Sequence, residues 1–233
     1  MKAYLETAGG ISAPMLIGAC LAAGLHRQAW LDKMESFDLT VLGTWTLKEK
    51  RVRRAGAEAV RIQFAIKQKS DEVYWDADQL KALSETWDLP SNLREWWLDA
   101  LRLSRVGFPH TFTCGEALEF CLDTLGFSWA RWLMGLEWIG VQHLPLTWET
   151  GRIHPRYNAY MHKRWLCRSI DLPREIVGDN WGITTYPALL LLAVHCAFSL
   201  DSPGFLFSSG IGASIESRRN FVILRLEQSS STR

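Results

Sequence analysis

The run from Ala13 to Leu25 contains no charged side chain, and it constrains the fold more than any other feature. At thirteen residues it falls well short of the roughly 20 that a helix needs to cross a bilayer. It must therefore be buried on nearly every side by other protein. A second apolar stretch, Tyr186–Leu200 with His195 inside it, is also too short to span. Neither end of the first run suits a secretory signal, because Glu6 and the Gly9–Gly10 pair stand where a basic segment belongs. No membrane partner is expected.

Composition narrows the class further. With 233 residues, 48% hydrophobic side chains and a formal net charge of +1, the chain has enough apolar material for a core and is not globally disordered. Twenty-six Lys and Arg against 25 Asp and Glu leave no basic excess, so nucleic acid is not an expected partner. Cys20, Cys114, Cys121, Cys167 and Cys196 are odd in number and form no CxxC pair. That pattern fits neither a disulfide framework nor a structural zinc site, and a reducing cytoplasm is the expected location. Twelve tryptophans are an excess that suits partner docking as well as packing.

The pattern along the chain predicts an extended start at Lys2–Glu6 and a helix from Ser12, with Ser12 as N-cap, Pro14 in the first turn and Gly24 as the stop. A short helix follows over Gln28–Met34. Thr44–Val52 and Ala59–Ile66 alternate apolar and polar residues about Gly56, which predicts an antiparallel pair with one wet face. Lys48, Lys50, Arg51, Arg53 and Arg54 lie on that pair, and read most simply as a solvated face. Lys69–Asp88 is polar. Ser91 is expected to cap a helix with Trp96, Trp97, Ala100, Leu101 and Leu103 on its apolar face. Further elements are a helix over Cys114–Met134 closed by Gly135, a strand at Trp138–Val141, irregular chain over 147–164, and a helix near 163–170. A buried helix over Pro187–Phe198 and a strand at Phe221–Leu226 complete the reading. The expected class is α/β or α+β, a single domain with a mixed sheet and packed helices over residues 1–226, then a disordered Ser-rich tail at 227–233.

Chemistry is sparse in the motifs. Neither a phosphate loop nor GxSxG, GxGxxG or HExxH occurs. Glu119 and Asp123 are spaced i, i+4, on one helical face, where they repel unless a cation or donor bridges them. Cys114 and His110 are four residues apart, and a thiolate with an imidazole is a donor pair for nickel or zinc. His154 and His162 flank a loop.

Read in order, the landmarks resemble a known family. Tyr4-Leu5-Glu6-Thr7-Ala8-Gly9-Gly10-Ile11-Ser12-Ala13-Pro14-Met15-Leu16-Ile17-Gly18-Ala19 resembles the opening of the LarC nickel-insertion proteins. These supply nickel to the pincer cofactor of lactate racemase. Val52–Ile62 is similar to that family's hairpin, and Ala117–Gly126 to its acidic helix. Leu144-Pro145-Leu146 is similar to its proline loop, Thr184–Leu189 to a later Thr-Pro segment, and Gly210-Ile211-Gly212-Ala213 to a turn before the last strand. Departures are equally specific. Pro14 and Ala22 replace acidic residues, Thr111-Phe112-Thr113-Cys114 replaces a His-rich motif, and Pro155-Arg156 replaces a His-Gly pair. Lys69–Asp78 lacks the family's histidines.

The resemblance implies an N-terminal LarC-like domain and a role in nickel insertion and pincer-cofactor maturation, in a form that has shed part of the metal chemistry. The family is a nickel chelatase of the lyase class. Expected metal residues are Glu119, Asp123, Asp78 and Glu6, with Cys114, His110 and His154 as weaker candidates and the loop 147–158 as the mouth of the site. Nickel is the expected metal, with magnesium or manganese as alternatives that carboxylates suit better. CTP is not expected, because the family's second domain lies beyond this sequence. A separate C-terminal-domain partner or another maturation protein is an expected associate. Two other readings stand beside this one: a metal-silent LarC-like module that binds a partner through a Trp-rich surface, and an unrelated cytosolic binding domain.

Overall fold

The computed structural model describes residues 1–8, 10–54, 56–105, 111–141, 144–147, 174–177, 184–199, 206–214 and 221–227. Its centre is a seven-stranded mixed sheet with helices packed against it, as expected for an α/β domain. β1 (Lys2–Ala8) leads through Ile11 into α1 (Ala13–Ala22) and α2 (Arg27–Glu35). The long hairpin β2 (Gly43–Arg54) and β3 (Ala57–Gln68) follows, its alternation resolved as twelve antiparallel residue pairs from Gly43–Gln68 to Arg54–Ala57. Then come β4 (Tyr74–Trp75), α3 (Ala77–Ser84), α4 (Ser91–Ser104), β5 (Phe112–Thr113), α5 (Cys114–Leu133), β6 (Trp138–Val141), β7 (Leu144–Thr147) and β8 (Arg174–Val177). The last elements are α6 (Tyr186–His195), β9 (Ala197–Phe198), β10 (Leu206–Ala213) and β11 (Phe221–Glu227).

Strand order is β2-β3-β10-β11-β1-β6-β9. β1 pairs antiparallel with β11 from Lys2–Glu227 to Ala8–Phe221, and parallel with β6 from Lys2–Trp138 to Leu5–Val141. The apolar run beginning at Ala13 becomes α1, which is apolar on all sides because it lies between the sheet and α5. Its approach to the sheet is unusually close. A Cβ on Gly212 would stand 1.7 Å from the Met15 carbonyl oxygen, and one on Gly210 would stand 2.2 Å from that of Ala19. Across the contact, a Cβ on Gly18 would stand 2.6 Å from the Val60 carbonyl oxygen. Backbone thus meets backbone, which only glycine permits.

Several expectations are corrected. Gly210-Ile211-Gly212-Ala213 is not a turn but the end of strand β10, where its glycines admit α1. Ser12 holds the N-cap position of α1 without a side-chain cap bond. Pro90, not Ser91, precedes α4; proline fixes the extended backbone and Ser91 becomes the first helical residue. The polar stretch Lys69–Asp88 contains α3, started by a reciprocal cap in which Asp76 accepts from the Gln79 N–H and Gln79 accepts from that of Asp76. The last helix stops at His195, and Ala197–Phe198 pairs beside β6 as an edge strand. Glu227 belongs to β11, and the rest of the Ser-rich tail lies outside the described residues, as do all but Thr147 of the stretch expected to be irregular over 147–164 and the helix expected near 163–170.

The core is one continuous cluster, with Trp30, Trp97 and Trp129 among its largest fully buried side chains. Trp30 also donates from Nε1 to the Gly126 carbonyl at 2.8 Å, fastening α2 to α5. No helix among the described residues is long and apolar enough to cross a membrane.

Candidate functional site

α5 carries the acidic pair and is strongly specified. Thr113 caps it, accepting from the Glu116 N–H at 3.3 Å while Glu116 accepts from the Thr113 N–H at 2.9 Å. α1 leaves β1 and α5 enters the parallel strand β6, so both helices run back against the strand direction and lie side by side. A Cβ on Gly126 would stand 2.9 Å from Ile17 Cδ1. Asp123, nearly one turn earlier on α5, is therefore level with the first turn of α1 (3.6 residues make a turn).

Asp123 is buried at 3% exposure, and among the described residues its Oδ1 has no hydrogen-bond partner; the same holds for Thr124 Oγ1. Burial pushes the Asp123 carboxyl well above the usual carboxylate range, and the neighbouring Glu119 charge pushes it further. The pair thus favours a shared proton or a cation over two bare charges.

The other expected ligands lie elsewhere. Glu6, on β1, accepts from Arg225 on β11 through both carboxylate oxygens, with Arg225 Nη2 to Oε2 at 2.9 Å. Asp78, in the first turn of α3, is exposed and paired with Arg105 at the end of α4. Cys114 is buried at the start of α5, its thiol 3.7 Å from the Val73 carbonyl. His110, His154 and most of the loop 147–158 lie outside the described residues. The structure brings Glu119 and Asp123 together and does not bring Glu6 or Asp78 to them. Among the described residues, no group of three or more His, Cys, Asp and Glu is placed to hold a metal ion. Nor do the deep thiols help: burial pushes Cys20 up to about 12 and raises Cys121 as well, so both stay protonated and poor ligands.

A second polar centre escaped the sequence reading. Arg131, buried near the end of α5, donates from Nε to the Leu136 carbonyl at 2.9 Å and from Nη2 to that of Glu137 at 2.8 Å. Its Nη1 lies 3.0 Å from His195 Nδ1, and His195 Nε2 lies 3.0 Å from Ser128 Oγ. Trp96 covers the guanidinium, with Arg131 Cζ 4.2 Å from its ring centre. Burial first, then the Arg131 charge, hold His195 well below the usual imidazole range. The only sequence signal was an ionisable residue inside each of two apolar helical stretches. Tryptophan placement is mostly internal: among the described residues Trp132 alone is exposed, at 40%.

Comparison with curated proteins and with solved structures gives no match. The acidic pair on α5 lies outside the one matched segment, whereas Glu6 and Asp78 fall within it. Residues 3–104, from β1 to the end of α4, match the family model described as nickel insertion protein, and the N-terminal part of the chain is similar to that LarC family.

Proposed function

We propose that the chain handles nickel as its cargo in the maturation of a nickel-pincer cofactor, as a divergent LarC-type protein whose remaining metal-holding residues are Glu119 and Asp123. The family match over residues 3–104 supports nickel insertion in general. The observation that carries the site is Asp123, a buried carboxyl with an unpartnered oxygen beside a second carboxylate. A divalent cation there would displace the proton and give the buried charge a partner, offsetting both the desolvation and the Glu119 repulsion that disfavour its ionisation.

Carboxylates alone hold nickel weakly and suit magnesium or manganese better. Weak hold is compatible with cargo that is passed on rather than kept. A separate C-terminal-domain partner would complete such a system, and CTP would belong to that partner. The alternative, a metal-silent module docking through tryptophans, rests on Trp132 alone among the described residues.

Tag-free protein titrated calorimetrically with nickel, manganese and magnesium tests the proposal. Stoichiometric uptake with proton release at neutral pH, weakened about tenfold or more by Asp123→Asn, is expected. Uptake of none of the three metals, or uptake indifferent to Asp123→Asn, overturns the assignment.

A further inference from the structure

Among the described residues β2, twelve residues long, is an edge strand paired only with β3. Most of its side chains are exposed, including the consecutive residues Lys48 to Arg51. Its outer backbone groups are a ready template for another strand. Two features say what kind of strand fits.

The first is charge. In the antiparallel register Lys50 lies directly opposite Arg61, and Lys48 shares their face two residues along. Like charges directly opposite destabilise a strand pair. The nearby acids are committed on other pairings: Glu49 with Arg27, and Glu58 with Arg51. No ion pair joins Lys48, Lys50 or Arg61 to any described residue. The second feature is the opposite face. There the Gly43–Leu47 end of β2 borders a groove of about 380 Å³ whose apolar lining is Leu31, Phe37, Leu39, Trp45 and Leu47, with Arg27 and Glu35 among its polar residues. An added strand would send alternate side chains to these two faces, one carrying the three cations and the other apolar at its Gly43–Leu47 end.

We infer that the free edge of β2 docks an extended protein segment that alternates acidic and apolar residues, by strand addition to the sheet. A second copy of β2 is a poor occupant, because it would set Lys48 and Lys50 against their own like. A nucleic acid could meet the three cations but has no strand-forming amides to pair with the edge, and no side chains for the groove. This inference does not rest on nickel handling and stands or falls separately from it.

The probe is a fluorescein-labelled peptide of alternating glutamate and valine, about ten residues long to match the strand, titrated with the full chain and followed by anisotropy. Saturable binding that weakens with added salt is expected. The double variant Lys48→Glu/Lys50→Glu, both exposed positions, should weaken it about tenfold or more with unchanged circular dichroism and no loss of melting temperature, since Lys50→Glu removes the like-charge pair with Arg61. The same peptide N-methylated at alternate residues should not bind, because strand addition needs its amides. Four outcomes overturn the inference: no binding of the parent peptide, binding that survives N-methylation, equally tight binding of an oligothymidylate of equal charge, or self-association of the chain by sedimentation.

Discussion

Arg131 and His195, 64 residues apart in sequence, meet with guanidinium Nη1 3.0 Å from imidazole Nδ1. A guanidinium only donates, so Nδ1 must accept, the ring proton resides on Nε2, and Ser128 Oγ receives it. The pair joins the end of α6 to the end of α5 through a neutral histidine. Protonation would set two cations face to face in a buried site.

From that geometry follows an acid-side loss of stability. The folded-state value of His195 is depressed below its unfolded value of about 6.5. Its contribution is therefore complete above about pH 6.5 and is lost as pH falls below it, with a limiting slope of about 1.4 kcal/mol per pH unit for one proton. Urea unfolding of wild type and His195→Gln between pH 5 and 8 checks this; the difference between the two should shrink steadily towards the acid end.

Asp123 behaves in the opposite sense. Its folded value is raised above an unfolded value of about 3.9. Stability is therefore intact below that value and declines as pH rises through the window up to the folded value. In metal-free protein at neutral pH, Asp123→Asn should raise stability by about 1–3 kcal/mol, an amide removing the cost of a buried charge. Saturating metal should reverse the order, with wild type gaining and the variant not. Thermal melts with and without nickel read both halves.

Gly212→Ala tests the seating of α1 on the sheet. The added methyl would meet the Met15 carbonyl, and a loss of about 3 kcal/mol or failure to accumulate as folded protein is expected. Gly24→Ala is the control, since nothing stands within 4 Å of its would-be Cβ and only the left-handed backbone, φ 113°, opposes it. About 1–2 kcal/mol should be lost there. Equal effects would mean that the helix can slide away from β10.

Trp30→Phe removes the indole bond to the Gly126 carbonyl while keeping most of the buried ring. About 1–3 kcal/mol should go, from the stranded carbonyl and the lost volume. Chemical unfolding, with Trp30→Leu for comparison, separates hydrogen bond from packing.

What the sequence made legible follows from the range of the forces involved. β2 and β3 announce themselves through period-two alternation, α1 through an apolar run with proline in its first turn, and the Glu119–Asp123 pair through helical spacing. α3 was overlooked although Asp76 and Gln79 stand at capping-box spacing, because its polar surroundings hid a short helix. Gly210–Ala213 is a turn by family resemblance alone, and no periodicity in the sequence opposes that; in the structure it ends strand β10, with α1 resting on its glycines. The ion pairs of Glu6 with Arg225 and Asp78 with Arg105 span 219 and 27 residues. No local pattern carries such partnerships, so carboxylates grouped by family likeness proved to be dispersed over separate elements. Arg131 and His195 were hidden for the same reason.

The partnership of β1 with β11 bears on how the chain acquires its shape during synthesis. On the ribosome β1 is polymerised some two hundred residues before its antiparallel neighbour. Throughout that interval β1 lacks one flanking strand and the apolar helix behind it lacks β10, and both invite capture by holdase chaperones or by neighbouring nascent chains. Efficient production should therefore respond more to chaperone supply and translation speed than the equilibrium stability of the finished protein would suggest.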